Sequence, residues 1–183
     1  MVETMTIIIL QSINKSFMYE IVYLKDAIIN AMPGPIQVVT PGSVLMLPLD
    51  LYNTSRMQYN AENVNRYLYS KYSNILRSPG VYLIGIVNGD GYVNNLNFVF
   101  GLATPRLRVA TIYSKRIIDY ANHGLYLERL LKLILHEFGH LAGLTHCRNQ
   151  CVMRYSNSLE ELDEKPPYYC QVCMDKLRKT LAG

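Results

Sequence analysis

Apolar positions along the chain switch between two rhythms, a short unbroken or alternating run and a period of three to four. Ile7 to Leu10 is an unbroken run, short enough for a buried strand. Ser16 stands where it could cap a helix reaching Ala31, on which Ile21, Leu24 and Ile28 share one face. Pro33-Gly34-Pro35 ends that helix, and Ile36 to Thr40 reads as a second strand. After Pro41 and Pro48, a helix over about Ala61 to Tyr72 leads through Ser78-Pro79-Gly80 into the strand Val81 to Val87. Asn88-Gly89-Asp90-Gly91 signals a loop, Asn97 to Gly101 a strand suited to a sheet edge, and Arg106 to Ile112 a further strand. Strands alternating with helices, without an internal repeat, predict one α/β (α+β) sheet domain.

The strongest helical pattern comes last. Leu127, Leu130, Leu131, Ile134, Leu135 and Phe138 recur at helical spacing and predict a helix packed on the sheet. On that helix His136 and His140 point away from the apolar stripe, with Glu137 between the two faces. Two histidines one turn apart and off the packing face suggest a cleft. His123, alone before Gly124, reads as a surface residue outside any site.

Length and composition bound the possibilities. The chain has 183 residues, half of them apolar and 17% charged, which suits one compact core and excludes a disordered protein or a disulfide-stapled miniprotein. The formal charge of +4 comes from scattered basic residues, so no nucleic-acid partner is expected. The first residues lack a basic stretch and the apolar run after them is too short for a signal peptide or a membrane span. A cytoplasmic protein without membrane attachment is therefore expected. In such a reducing compartment clustered cysteines serve more often as metal ligands or redox thiols than as disulfides.

All four cysteines and three of the four histidines lie between His136 and Cys173. His136-Glu137-Phe138-Gly139-His140 is an HExxH motif, whose histidines one helical turn apart can reach one tetrahedral Zn²⁺. Gly143 can end the helix in a left-handed cap and His146 can then supply a third imidazole. Three neutral ligands leave a position for water, the arrangement of a catalytic zinc. Such a metal lowers the pKa of its water towards about 7, and Glu137 becomes the candidate general base for amide hydrolysis. Cys147-x3-Cys151 and Cys170-x2-Cys173 form two chelating pairs, the content of a closed zinc site, with two disulfides or a redox pair as the alternatives.

The run from His136 through His146 and Cys147, followed by Cys151-Val152-Met153 and Cys170-Gln171-Val172-Cys173, resembles the archaemetzincins, metzincin-like zinc peptidases. The segment Phe98-Val99-Phe100-Gly101-Leu102-Ala103 extends the resemblance upstream. Both the first cysteine interval (Arg148 to Gln150) and the stretch from Met153 to Cys170 are one residue shorter than usual in that family. The resemblance implies a metzincin-like mixed twisted sheet with flanking helices and an active-site helix. It also implies two Zn²⁺ per chain: a catalytic ion on His136, His140 and His146, and a structural ion on Cys147, Cys151, Cys170 and Cys173. Residues 1–183 would form a single domain, with 1–143 carrying the sheet and helix and 144–183 a small zinc-bound subdomain ending in a helix from about Gln171 to Leu181.

Further roles follow from the same resemblance. Met153 corresponds to the methionine of the metzincin Met-turn, beneath the histidines and not a ligand. Tyr155 stands where some metzincins carry a tyrosine that reaches the metal or stabilises the oxyanion, the alternative being a packed tyrosine. Phe98, Val99, Phe100 and Gly101 would form an edge strand that accepts an extended peptide, the alternative being a strand without a ligand role. The expected partner is a peptide or protein substrate. A two-zinc regulatory protein without useful turnover and a cysteine-built nucleic-acid module are the competing functions.

Overall fold

The computed structural model describes residues 5–182. In chain order it contains β1 (Thr6–Ile13), α1 (Met18–Asn30), β2 (Ile36–Val39), β3 (Tyr52–Asn53), β4 (Gln58–Asn60), α2 (Ala61–Leu76) and β5 (Val81–Val87). There follow β6 (Gly91–Val93), β7 (Leu96–Val99), β8 (Gly101–Thr104), β9 (Val109–Tyr113), α3 (His123–Leu141), α4 (Leu159–Glu164) and α5 (Gln171–Leu181). The main sheet has the order β2-β1-β5-β9-β8, parallel throughout except for the antiparallel edge strand β8.

Central strands of such a sheet are covered on both faces, which explains the unbroken apolar runs of β1 and β5. Ile8, Leu10, Ile84, Ile86, Ala110 and Ile112 face one core, where α1 and the Leu130, Ile134 and Phe138 stripe of α3 pack. Ile9, Ile13, Leu83, Val87 and Val109 face the other, closed by Val64 and Leu68 of α2. Leu162 of α4 and Cys173 and Leu177 of α5 join the first core. No helix among the described residues is long and apolar enough to cross a membrane.

The mixed sheet with flanking helices matches the sequence expectation, and several local elements differ from it. Ser16 is not the N-cap of α1, a place taken by Phe17 without a side-chain hydrogen bond, although Ser16 Oγ accepts from the Met18 amide at 3.4 Å. Ser12 Oγ instead accepts from the Phe17 amide at 3.0 Å, because the turn folds back on β1. Helix α2 runs on to Leu76, since no breaker precedes Ser78-Pro79. The strand expected over Arg106 to Ile112 begins only at Val109. Pro105 starts a 3₁₀ turn and Arg108 closes it at φ +55°, with its guanidinium donating to the Leu76 and Ser78 carbonyls.

The single edge strand expected over Asn97 to Gly101 is two strands. β7 belongs to a separate four-stranded sheet, β3-β4-β6-β7, and β8 begins at Gly101 in the main sheet. The chain bends at Phe100, which is buried in the first core with its ring edge-on to Phe98 at 5.2 Å. Phe98 and Phe100 face the first core before the bend and Ala103 after it, with Val99 and Leu102 on the second, so the facing shifts by one residue at Phe100–Gly101, and no proline or charged residue in the run marks the change of sheet. The small sheet is tied down by buried Asp90, which accepts from Arg116 at 2.8 and 2.7 Å and from Gln58 at 3.0 Å. Arg116 also lies over the Phe98 ring, 4.3 Å from its centroid.

Candidate metal and active site

Helix α3 starts from Asn122, whose Oδ1 accepts from the Leu125 amide at 3.0 Å, and carries its apolar stripe under the sheet. His123 is its first residue, exposed, between the rings of Tyr19 and Tyr126 and away from the cluster described below. At the other end Gly143 adopts φ +85°, the left-handed conformation that glycine tolerates without a Cβ clash. The Leu144 amide donates to Gly139 O at 2.8 Å and the Gly143 amide to His140 O at 3.0 Å, which together form a Schellman cap. The cap turns the chain so that His146 comes back over the helix.

His136, His140 and His146 converge, with one ligand atom of each within 4.8 Å of the others. His136 and His140 face each other through Nε2 atoms 3.1 Å apart. Their Nδ1 atoms lie 2.8 Å from Val152 O and 2.9 Å from Leu144 O, so both rings donate there and turn bare Nε2 lone pairs towards the same point. Two facing lone pairs repel unless a cation lies between them. Ligands of a tetrahedral ion at about 2.0–2.1 Å stand ~3.3 Å apart, close to the observed spacing, so the donor set fits zinc. Burial pushes the pKa of all three imidazoles below the ordinary value, and for His136 the nearby Lys165 charge adds to the effect. Each therefore favours the neutral form that a metal requires.

Glu137 points to the opposite wall of the same cleft. Its carboxyl lies against Gly101, so β8 flanks it from the side. Burial pushes its pKa up to about 8, opposed by the Lys165 charge. The cleft encloses about 840 Å³ and is lined by Phe98 to Ala103 above and by His136, Glu137, His140 and His146 below. Phe98 and Val99 thus line its rim from β7, while the edge of the main sheet facing Glu137 is Gly101 to Thr104.

The floor is built from the segment after His146. The Cys147 amide donates to Met153 O at 3.0 Å and the Val152 amide to Tyr168 O at 2.8 Å, folding a tight turn under α3. Met153 is fully buried, and its sulfur lies where a Cβ on Gly139 would stand. Tyr169 is also buried and donates to the Leu135 carbonyl at 2.5 Å. Tyr155 is exposed, with its ring edge-on to His146 at 5.2 Å.

The four cysteines form a second cluster, with their sulfurs within 4.8 Å of one another. Cys147 Sγ and Cys170 Sγ are 3.7 Å apart, far beyond the ~2.05 Å of a disulfide and close to the ~3.8 Å edge of a tetrahedron with 2.3 Å Zn–S bonds. The shortened Cys147–Cys151 interval therefore does not prevent the sulfurs from closing on one point. Burial pushes the Cys151 and Cys173 thiols up. Burial acts upward on Cys170 too, but hydrogen bonds led by that of the Cys173 amide outweigh it and bring the thiol to about 6. A cation in the cluster would favour the thiolate form of all four sulfurs.

Two features escaped the sequence. Helix α4 carries a legible signal: Ser158 Oγ accepts from the Glu161 amide at 3.3 Å, and Glu161 Oε2 accepts from the Asn157 amide at 2.8 Å, an S-x-x-E capping pattern. Lys165, just beyond it, is 1% exposed and lines the cleft. No motif marks it, because only the tertiary fold brings it to within 3.5 Å of His136 Nδ1. Burial pushes its ammonium pKa down to about 8.

The profile of peptidase family M54 matches residues 2–179. An archaemetzincin of Aeropyrum pernix is 47% identical over 148 residues, 80% of each chain. The crystal structure of archaemetzincin from Methanopyrus kandleri superposes with a TM-score of 0.80 at 30% identity, covering 96% of this chain and 95% of that one. A zinc-dependent peptidase from Methanocorpusculum labreanum gives 0.79 at 25% identity, covering 93% and 99%. With the sequence, the fold and the three-histidine cluster in agreement, the chain belongs to peptidase family M54, the archaemetzincins, and is a zinc metallopeptidase.

Proposed function

We propose that the protein hydrolyses peptide bonds in the cleft over α3, with His136, His140 and His146 holding one zinc and Glu137 serving as general base. The observation that carries this reading is the pair of Nε2 atoms 3.1 Å apart, each with its Nδ1 committed to a backbone carbonyl. Zinc bound there supplies a Lewis acid for water and for the substrate carbonyl. Glu137 takes the proton from water at its carboxylate and returns it to the departing amine. Its buried setting raises its proton affinity, which suits a group that must do both. The outer edge of β8 offers backbone amides and carbonyls to an extended peptide laid beside it.

Cys147, Cys151, Cys170 and Cys173 hold a second zinc in this reading, giving two per chain and fastening residues 144–183 as a small subdomain. Their thiols, too far apart to be disulfide-bonded, support a reducing, cytoplasmic setting. Met153 acts as the floor under α3, and Tyr155 is near enough to His146 to assist at the metal or the oxyanion. A regulatory protein that keeps both metals without turnover is disfavoured because β8 leaves Glu137 the space it occupies, at Gly101.

The test is a peptide-library digest by zinc-loaded protein. The Glu137→Ala variant is expected to retain zinc and lose hydrolysis by at least ~100-fold, the lower end of what general-base catalysis contributes. Full activity in a zinc-loaded variant would remove Glu137 from the mechanism.

A further inference from the structure

Two buried lysines lie near the active-site helix, and only one is in contact with a carboxylate. Lys132 Nζ is 2.6 Å from Glu128 Oε1 and donates to Asp163 O at 2.7 Å. Lys165 Nζ donates to Arg154 O at 3.3 Å and to Ser156 Oγ at 3.2 Å, and among the described residues it makes no salt bridge. His136 Nδ1, at 3.5 Å, cannot accept from it, because that nitrogen donates its own proton to Val152 O. An ammonium carries three donors, so one N–H of Lys165 has no acceptor there. The Glu137 carboxyl acts on it only from beyond contact distance, so the ammonium is buried without a touching counter-ion, which is costly, and it lines the cleft rather than the core.

Its position decides what could complete it. Only the imidazole of His136 separates Nζ from the point on which the three histidines converge. An extended peptide advances ~3.3–3.6 Å per residue, so a group reaching Lys165 belongs to a residue beside the bond being cut or to the next one. The cleft that Lys165 lines is also walled by apolar residues, Leu133 and Phe100 among them, which lower the local dielectric and strengthen a charge pair formed in it.

We propose that Lys165 recognises a substrate carboxylate next to the scissile bond, supplied by an acidic side chain or by the free C-terminus of a short peptide. Lys165 is then a specificity-determining residue, and the proposal rests on the peptidase reading above. A charged hydrogen bond of this kind corresponds to roughly 10- to 100-fold in affinity.

The experiment compares terminally blocked peptides that differ only by Glu or Gln beside the cleaved bond, and neutral peptides with a free or amidated C-terminus. Zinc-loaded wild type is expected to favour the carboxylate member of at least one pair, mainly through KM, and the responding pair identifies the source. Lys165→Met, with zinc content unchanged, is expected to bring that ratio close to one while sparing the uncharged peptides. Calorimetric Kd values for the same pairs, in a Glu137→Gln background with and without Lys165→Met, should show the same loss without relying on turnover. A wild type that does not discriminate within either pair, or a preference that survives Lys165→Met, overturns the proposal. If Lys165→Met does not fold, Lys165→Gln replaces it, and a wild-type ratio near one remains decisive. If zinc-loaded wild type cuts no peptide at all, the peptidase reading fails and the Kd ratio still judges Lys165.

Discussion

Glu137 occupies the space in which a side chain at position 101 would stand: a Cβ on Gly101 would lie 2.6 Å from Oε1 and 2.9 Å from Cγ and Cδ. The backbone of residue 101 is not left-handed, so alanine can adopt it, and the conflict is with the carboxyl alone. Gly101→Ala is expected to keep the fold and the zinc while displacing Glu137. A displacement near 1 Å in a reacting group costs ~100-fold, so kcat should fall by about that factor. Steady-state kinetics beside metal analysis check it, and unchanged kcat would show that Glu137 works from another position.

Gly139 makes the same kind of room for the floor. Alanine there gains ~1 kcal/mol of helix propensity but drives its methyl into Met153 and to 3.3 Å from Tyr169. Both neighbours are buried, so relief requires overpacking that costs about 1–3 kcal/mol. Gly139→Ala should therefore be destabilising or neutral in denaturant titration, and the combination with Met153→Ala should recover part of the helix gain. A clear stabilisation by the single substitution would contradict the packing described.

The cysteine cluster predicts a loss that extends to its neighbour. Cys170→Ser is expected to lower the zinc content by about one ion per chain and reduce thermal stability, since binding energy at a closed site is folding energy. Because Cys147 directly follows His146, occupancy of the histidine site should weaken too. Metal analysis with thermal unfolding reads both. Unchanged zinc and Tm would remove the structural role.

The metal-free protein should show a pH dependence set by opposing groups. All three imidazoles have folded pKa values below 6.5, so as pH falls through 6.5 the unfolded chain binds protons that the folded chain does not, and stability is lost. Glu137 acts the other way. Its folded value near 8 exceeds the usual 4.5, so stability is lost as pH rises from about 4.5 to 8. Three histidines outweigh one glutamate on the acid side and are silent on the alkaline side. These groups therefore place their optimum near pH 6.5. Thermal unfolding of chelator-treated protein checks this, and Glu137→Gln should flatten the alkaline limb and steepen the acid limb above about pH 4.5.

The sequence made α3 and the convergence of its histidines with His146 legible because HExxH, Gly143 and His146 are local, fixed by helical pitch and one left-handed residue. β1, β5 and the stripe of α3 were legible through burial patterns that survive folding. The bend at Phe100 was not, because the apolar run from Phe98 to Ala103 holds no proline or charged residue to mark where the chain leaves one sheet for the other. Ser16 misled for a different reason: a capping residue in the right place was displaced by Ser12, which only the return of the chain to β1 brings close. Lys165 lay beyond any reading of spacing. It sits 29 residues from His136, and its meaning depends on which of its neighbours can accept a proton.

The break at Phe100 also divides the upper wall of the cleft into parts with separate anchors. The rim, Leu96 to Val99, hangs from the small sheet and from Asp90 through Arg116, whereas Gly101 to Thr104 is fixed by pairing with β9. Variation in the hairpin can therefore retune which side chains the cleft admits while the strand that seats Glu137 keeps its register. The enzyme has in effect an exchangeable lip on a fixed jaw, which makes Leu96 to Val99 the place to alter selectivity without rebuilding the chemistry.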